Sequence, residues 1–272
     1  MNIKESINTP FGKVIINRIS NSKTDKTVII IPGFSESITH NKKLLHEIAK
    51  QGYNVITFSQ PRDNDKNSII GPIQRQSEII LNVLKFVVPN KIKVYAVAHS
   101  FACAAVLKSA QLAPERFAQL ILMQPVGISD RQRFAKLLAH AVKKSIKNQI
   151  KSLKTTESDE PTNRDFNRLI HSQMASIGVL TKNPKLSLKE ALSAGVYDIK
   201  DDLVEIKKLG IPVAVIVSSN DEMFDHKKIN LEHEDILKYV DICLSISDCN
   251  AGHDTFWIDY KRTASIIGEI LN

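Results

Sequence analysis

The sequence contains little cysteine and no long hydrophobic run. Its 272 residues include three cysteines, Cys103, Cys243 and Cys249, an odd set without the spacing of a disulfide framework or a metal site. No stretch approaches the roughly 18 consecutive apolar residues of a membrane-spanning helix. The first twenty residues lack the apolar core of a secretion signal. We therefore predict a cytoplasmic protein, since a reducing compartment suits this cysteine usage.

Binding motifs for phosphate, metal and nucleic acid are also missing. No glycine-rich loop with a lysine precedes a helix, and no histidine, cysteine and carboxylate cluster has metal-ligand spacing. We expect no metal and no cofactor. The formal net charge is +8, but no recognition motif or aromatic platform accompanies it, so we expect no nucleic-acid partner.

What the sequence does contain is an alternation of short β-branched runs and longer helical patterns. This alternation is typical of an α/β fold with a mostly parallel central sheet flanked by helices. The "TPFG" turn at Thr9–Gly12 indicates an antiparallel hairpin at the sheet edge. Strands are predicted at Lys13–Arg18, Thr27–Ile31, Asn54–Ser59, Lys93–Val97, Gln119–Met123, Val213–Val217 and Ile242–Ile246. Helices are predicted at Lys42–Gln51, Ile73–Val87, Phe101–Ala110, Asp202–Leu209 and Thr255–Leu271.

Residues 126–200 interrupt this rhythm, because they contain helical patterns and no convincing strand. The patterns cover Asp130–Leu153, Arg164–Ile177 and Ser187–Ala194, and the spacing of Ser187 and Glu190 predicts a capping box for the third. We therefore predict a core domain made of residues 1–125 and 201–272, with residues 126–200 inserted between two core strands as a helical cap.

Three residues of complementary chemistry follow predicted strands. Ser100 follows one strand at a sharp strand-to-helix corner, Asp221 follows another through a short loop, and His253 follows the last strand. Ligands of open α/β sheets bind beyond the carboxyl ends of the strands. A serine hydroxyl needs a base to remove its proton and a third group to orient that base. These residues are therefore candidates for a catalytic site.

In these features the sequence resembles the α/β-hydrolase family, with its nucleophile elbow and its serine, acid, histidine order. The resemblance implies that Ser100 is the nucleophile, His253 the general base and Asp221 the group that orients it. It also implies an oxyanion hole formed by the backbone amides of Phe101 and Phe34, and it places the family's cap at the helical insertion.

The elbow departs from the family pattern, because Ala98 and Ala102 replace its two flanking glycines. Pro32-Gly33 likewise stands where the family usually has His-Gly before the oxyanion loop. Glu36, with His40 downstream, gives a short likeness to the monoacylglycerol-lipase branch.

Simpler interpretations stay open for individual residues. Ser100 could be only a helix N-cap, and His253 only a surface histidine. Glu222 and Asp225 compete with Asp221 as the acid. His99 is interpreted as a packing and hydrogen-bonding residue rather than a second base.

The insertion contains a basic amphipathic segment, Arg131–Lys154, with eight lysines or arginines and no acid. One interpretation is a cap helix whose apolar stripe covers the active site. Another is a helix that contacts an anionic membrane surface or an acidic partner. In the first case Phe134, Leu138 and Met174 would line a hydrophobic substrate pocket.

These observations predict a serine hydrolase that cleaves a small-molecule hydrophobic carboxylic ester through an acyl-serine intermediate. Three alternatives remain: a thioesterase or acyltransferase with the same triad, a carbon–carbon bond hydrolase or lyase, and a non-catalytic ligand-binding protein with this fold.

Overall fold

The structure is a computed structural model that describes residues 2–33, 42–62, 71–128, 182–219, 221, 236–246, 253 and 255–272. Within these ranges the central sheet has eight strands: β1 (Asn2–Thr9), β2 (Gly12–Ile19), β3 (Thr27–Ile31), β4 (Asn54–Phe58), β5 (Val94–His99), β6 (Phe117–Met123), β7 (Val213–Ser218) and β8 (Ile242–Ile246). Their order across the sheet is β1-β2-β4-β3-β5-β6-β7-β8. Strand β1 pairs antiparallel with β2, and β2 with β4, while the other neighbours are parallel.

Helices cover both faces of this sheet, which is why the central strands consist of near-continuous apolar runs. The described helices are α1 (Lys42–Lys50), α2 (Pro72–Val87), α3 (Phe101–Leu112), α4 (Pro184–Val196), α5 (Lys200–Lys208), α6 (Thr255–Ile258) and α7 (Tyr260–Leu271). Apolar residues of α2, α3 and α5 pack in one core cluster. Those of α1, α6 and α7 pack in a second cluster. The predicted α/β class, the parallel sheet and the edge hairpin are all confirmed.

The prediction of one helix over Thr255–Leu271 was wrong, because the chain breaks at Asp259. This residue has φ −97° and ψ 51°, outside the helical region, and precedes α7 as its N-cap. Its carbonyl oxygen accepts the Thr263 N–H at 2.9 Å. Aspartate favours helix caps over helix interiors, which gives a physical reason for the break.

The capping box predicted at Ser187 and Glu190 was also wrong. Helix α4 begins at Pro184, and Asn183 caps it by accepting the Leu186 N–H at 3.0 Å. Ser187 and Glu190 instead bind Arg62, which follows β4. Both terminal nitrogens of Arg62 donate to Glu190 Oε2, at 2.8 and 2.7 Å, and Nη2 also lies 3.2 Å from Ser187 Oγ.

Most of the predicted insertion lies outside the described residues, including the helices predicted at Asp130–Leu153 and Arg164–Ile177. The boundaries of the core and the cap therefore stay predictions. Among the helices that the structure does describe, none combines the length and the apolar character needed to cross a bilayer.

Candidate active site

Ser100, His253 and Asp221 are brought together where parallel strands end. Ser100 immediately follows β5, Asp221 follows β7, and His253 lies just before α6. The Ser100 Oγ is 3.0 Å from His253 Nε2, and His253 Nδ1 is 2.8 Å from Asp221 Oδ2. The three side chains therefore form a continuous hydrogen-bonded chain, although Ser100 and His253 are 153 positions apart in the sequence.

The backbone of Ser100 adopts a strained conformation, with φ 53° and ψ −120°. Conformations of this kind cost on the order of 1–3 kcal/mol and occur at functional sites. The surrounding backbone fixes the residue: Ser100 N–H donates to the Met123 carbonyl at 2.9 Å, and the Ser100 carbonyl accepts the Cys103 N–H at 3.1 Å. Although Ser100 precedes α3, its hydroxyl makes no capping hydrogen bond. It faces His253 instead, so the N-cap interpretation of this hydroxyl was wrong.

Close packing around the elbow explains its small residues. Ala98 and Ala102 are fully buried, and Ala98 is paired on both sides, with Ile31 of β3 and Leu122 of β6. The thiol of Cys103 lies 3.3 Å from the Ala98 carbonyl oxygen, and Cys103 is fully buried, so it packs as a small core residue at this corner.

Asp221 is the buried end of the hydrogen-bonded chain, with 4% of its surface exposed. Its N–H donates to the Ser218 carbonyl at the end of β7, at 3.2 Å. A carboxylate can only accept here, so Nδ1 of a neutral His253 carries the hydrogen and Nε2 can accept the Ser100 proton. Glu222 and Asp225, the competing acids, lie outside the described residues.

His99 packs and hydrogen-bonds beside the site, as predicted from its sequence position. Its ring stacks on Phe256, with centroids 5.2 Å apart and planes within 5°, and Trp257 meets it edge-on at 5.8 Å. The His99 Nε2 lies 3.0 Å from Gln124 Oε1 and 3.1 Å from the backbone carbonyl oxygen of His253.

Sequence reasoning missed Gln124, although its position directly after β6, at the same sheet edge as Ser100, was an available signal. Gln124 is 3% exposed and has a positive φ of 48°. Its N–H donates to the Ile216 carbonyl of β7 at 2.7 Å. This backbone bond fixes Gln124 between the ends of β6 and β7.

The Phe101 amide is the first of α3, and Phe101 directly follows Ser100 in the chain. In the described part of the chain this N–H has no hydrogen-bond acceptor. An amide at a helix N-terminus attracts negative charge. Phe34 lies outside the described residues, but the strand end before it is anchored: the Gln76 side chain, also missed by sequence reasoning, donates to the Pro32 carbonyl at 3.2 Å.

The predicted pocket residues Phe134, Leu138 and Met174 lie outside the described residues, as does the basic segment Arg131–Lys154. Among the residues that the structure describes, no group of three histidine, cysteine or carboxylate side chains could hold a metal ion.

Comparison with solved structures identifies the same fold over nearly the whole chain. A protein described as a lipase from Acinetobacter baumannii AYE superposes with a TM-score of 0.73 at 15% identity, covering 99% of this chain and 91% of its own. A carboxylesterase from Nitrososphaera gargenis gives 0.68 at 15% identity, with 98% and 97% covered. The thioesterase domain of a curacin biosynthetic pathway gives 0.62 at 12%, with 100% and 99% covered. At these identities the likeness shows the fold alone.

No curated protein matches the sequence at a significant level. A family model does match it: the model described as "Serine aminopeptidase, S33" covers residues 22–240. With this match spanning most of the chain, and with an eight-stranded, mostly parallel sheet flanked by helices, the protein belongs to the serine aminopeptidase S33 family of α/β-hydrolases.

Proposed function

We propose that the protein is a serine hydrolase that cleaves a hydrophobic carboxylic ester through an acyl-serine intermediate. The observation that carries this proposal is the chain of hydrogen bonds from Ser100 Oγ to His253 Nε2 and from His253 Nδ1 to Asp221. A nucleophile, its base and the base's orienting group at hydrogen-bond distance are the recognised geometry of serine catalysis.

In the acylation step, Ser100 Oγ attacks the ester carbonyl carbon while His253 Nε2 takes the hydroxyl proton. The carbonyl oxygen becomes negative and accepts the Phe101 N–H, which lies beside the nucleophile at the start of α3. Collapse of this intermediate breaks the bond to the alcohol oxygen, and His253 returns the proton to that oxygen. The alcohol leaves and the acyl group stays on Ser100.

Deacylation repeats these steps with water as the nucleophile. His253 takes a proton from the water, whose oxygen attacks the acyl carbon, and returns it to Ser100 as the acid leaves. The buried Asp221 carboxylate stabilises the imidazolium that forms in each half-reaction and keeps Nδ1 as the protonated nitrogen.

Two observations support an ester substrate: the functions of structures with the same fold, and the apolar character of the predicted cap. The superposed structures include a protein described as a lipase and a carboxylesterase, and the predicted cap would place Phe134, Leu138 and Met174 over the site as an apolar lining. One superposed structure is a thioesterase domain, so a thioester is the second candidate substrate.

The mechanism is tested by exposing the protein to a fluorophosphonate probe and measuring its intact mass. Wild type should gain one adduct, whereas Ser100→Ala and His253→Ala should gain none. Ser109→Ala is the matched control, because Ser109 is a buried serine of α3 that bonds to Ser77, and it should label like wild type. An adduct that survives in Ser100→Ala would refute the assigned nucleophile.

The substrate class is tested with p-nitrophenyl butyrate and octanoate, an acyl-coenzyme A thioester and an aminoacyl p-nitroanilide, the last chosen because the family description names an aminopeptidase. The proposal expects faster turnover of the esters, and of octanoate over butyrate. Preference for the thioester would favour the second candidate. A folded wild type that neither labels nor turns over any of them would leave ligand binding as the function.

A further inference from the structure

We propose that His99 is a positioning residue that holds the backbone of His253 in place for the reaction of Ser100. The inference rests on the proposed function, because a positioning role has meaning only if His253 acts as the base. Its starting point is the 3.1 Å separation between His99 Nε2 and the carbonyl oxygen of His253.

The direction of this hydrogen bond is fixed by chemistry. A backbone carbonyl oxygen can only accept, so Nε2 of His99 must carry the hydrogen. The same Nε2 lies 3.0 Å from Gln124 Oε1, which also accepts. His99 therefore shares one N–H between two oxygen acceptors. The His253 carbonyl oxygen is sufficient to assign the hydrogen to Nε2 of His99, because that oxygen cannot donate.

The His99 ring is itself held rigidly. It is 1% exposed, it stacks on Phe256, and its backbone is paired with Met123 of β6. Gln124, the next residue after β6, is fixed in turn by its N–H bond to Ile216. The donor that reaches His253 is therefore attached to the sheet and not to a surface loop.

Two consecutive residues, His99 and Ser100, therefore affect both reacting groups, the serine hydroxyl and the His253 imidazole. Ser100 supplies the hydroxyl, and His99, one position earlier, binds the backbone of the residue that supplies the base. Asp221 orients the side chain of His253 through Nδ1. The backbone of His253 is held instead by its hydrogen bond to His99, the last residue of β5. Displacing a reacting group by about 1 Å can cost on the order of 100-fold in rate, so loss of this bond should reduce turnover.

Two amide variants separate the hydrogen bond from simple packing. Glutamine places an N–H close to the position of histidine Nε2, whereas asparagine places it close to Nδ1 and does not reach the His253 carbonyl. His99→Phe keeps a stacked ring without a donor. His46→Phe, at an exposed position of α1, is the control for a histidine away from the site. Ile267→Val, at a fully buried position of α7, is the control for a small loss of stability.

The measurements are kcat and KM for p-nitrophenyl octanoate, the rate of fluorophosphonate labelling, and Tm. We expect His99→Asn and His99→Phe to lower kcat and the labelling rate by on the order of 10- to 100-fold with little change in KM. His99→Gln should restore both to within a few-fold of wild type. Both controls should react at the wild-type rate, Ile267→Val despite a lower Tm.

Equal rates in His99→Asn and His99→Gln would overturn the inference, and this comparison stands even if His99→Phe does not fold. If the two rates were equal but the fluorophosphonate still labelled wild type, the positioning role would be overturned and the proposed function would stand. An unreactive wild type would overturn the proposed function, and the positioning role with it.

Discussion

The buried ion pair between Arg62 and Glu190 provides a quantitative prediction about stability. The two residues are 6% and 8% exposed, and their closest nitrogen and oxygen are 2.7 Å apart. Changing Glu190 to glutamine keeps the size of the side chain and an oxygen acceptor but removes the negative charge. Arg62 would then be a buried cation that has lost the negative charge of Glu190.

Breaking a buried pair by removing one partner typically costs about 3–5 kcal/mol. Since glutamine retains part of the hydrogen bonding, we expect Glu190→Gln to lower the free energy of unfolding by about 3 kcal/mol. At roughly 2–4 °C per kcal/mol for a domain of this size, Tm should fall by about 6–12 °C. Replacing both Arg62 and Glu190 with methionine should cost less than the single change, because no charge remains buried.

The assay is urea unfolding followed by circular dichroism, with the midpoint compared at equal slope. Glu205→Gln is the matched control: Glu205 pairs with Lys208 at the same 2.7 Å, but both side chains are more than half exposed. Because water screens that pair, its loss should cost about 0.5 kcal/mol or less. If Glu190→Gln and Glu205→Gln were equally stable, the argument from burial would be refuted.

Two further substitutions test the site and its surroundings. Asp221→Asn should lower kcat by a factor on the order of 10⁴ while leaving Tm nearly unchanged, because the amide favours the wrong tautomer of His253. Steady-state kinetics measure this effect. A loss of less than tenfold would exclude Asp221 as the orienting group. Gly127→Ala should lower the free energy of unfolding by roughly 2–5 kcal/mol, since φ is +80° and the new Cβ would lie 2.8 Å from the Tyr197 carbonyl oxygen. Gly210→Ala, with φ +69° and open space around it, should cost only about 1–2 kcal/mol; equal losses in urea unfolding would contradict the predicted clash.

The surroundings of Gly127 explain why that contact cannot yield easily. Tyr197 donates its hydroxyl hydrogen to Asp202, which also accepts from Gln111 at 2.6 Å. Burial, together with the nearby Asp202 carboxylate, raises the pKa of the Tyr197 phenol well above its usual range, so Tyr197 stays a neutral donor. The Ile199 N–H further binds the Gly127 carbonyl at 3.3 Å.

The sequence predicts the central strands of the sheet well because they are buried on both faces. The run at Thr27–Ile31 is β-branched and wholly buried, so no competing period obscures it. The site was predicted for a second reason: Ser100, Asp221 and His253 each follow a predicted strand, and ligands of open α/β sheets bind at the carboxyl ends of the strands. In each case the signal lies within a short segment of chain.

Features that depend on distant partners could not be predicted in this way. Ser187 and Glu190 have the local spacing of a capping box, but their partner Arg62 is 125 and 128 positions away. Similarly, the position of Gln124 after β6 places it near the site but does not indicate that its side chain would bind the His99 ring. Nothing around Gln76 indicates that its side chain would bind the Pro32 carbonyl. Polar residues with nonlocal partners carry no periodicity, so only the tertiary structure identifies them.

The sequence separation within the site also bears on how the protein folds. The Ser100–His253 hydrogen bond spans 153 positions, and contacts between such distant segments are slow to form because the intervening chain must first be ordered. Strands β3, β5 and β6 lie within residues 27–123, and their pairing with one another involves neither β8 nor α6. The reactivity of Ser100 would appear only after His253 arrives, so in a refolding experiment it would report completion of the native topology.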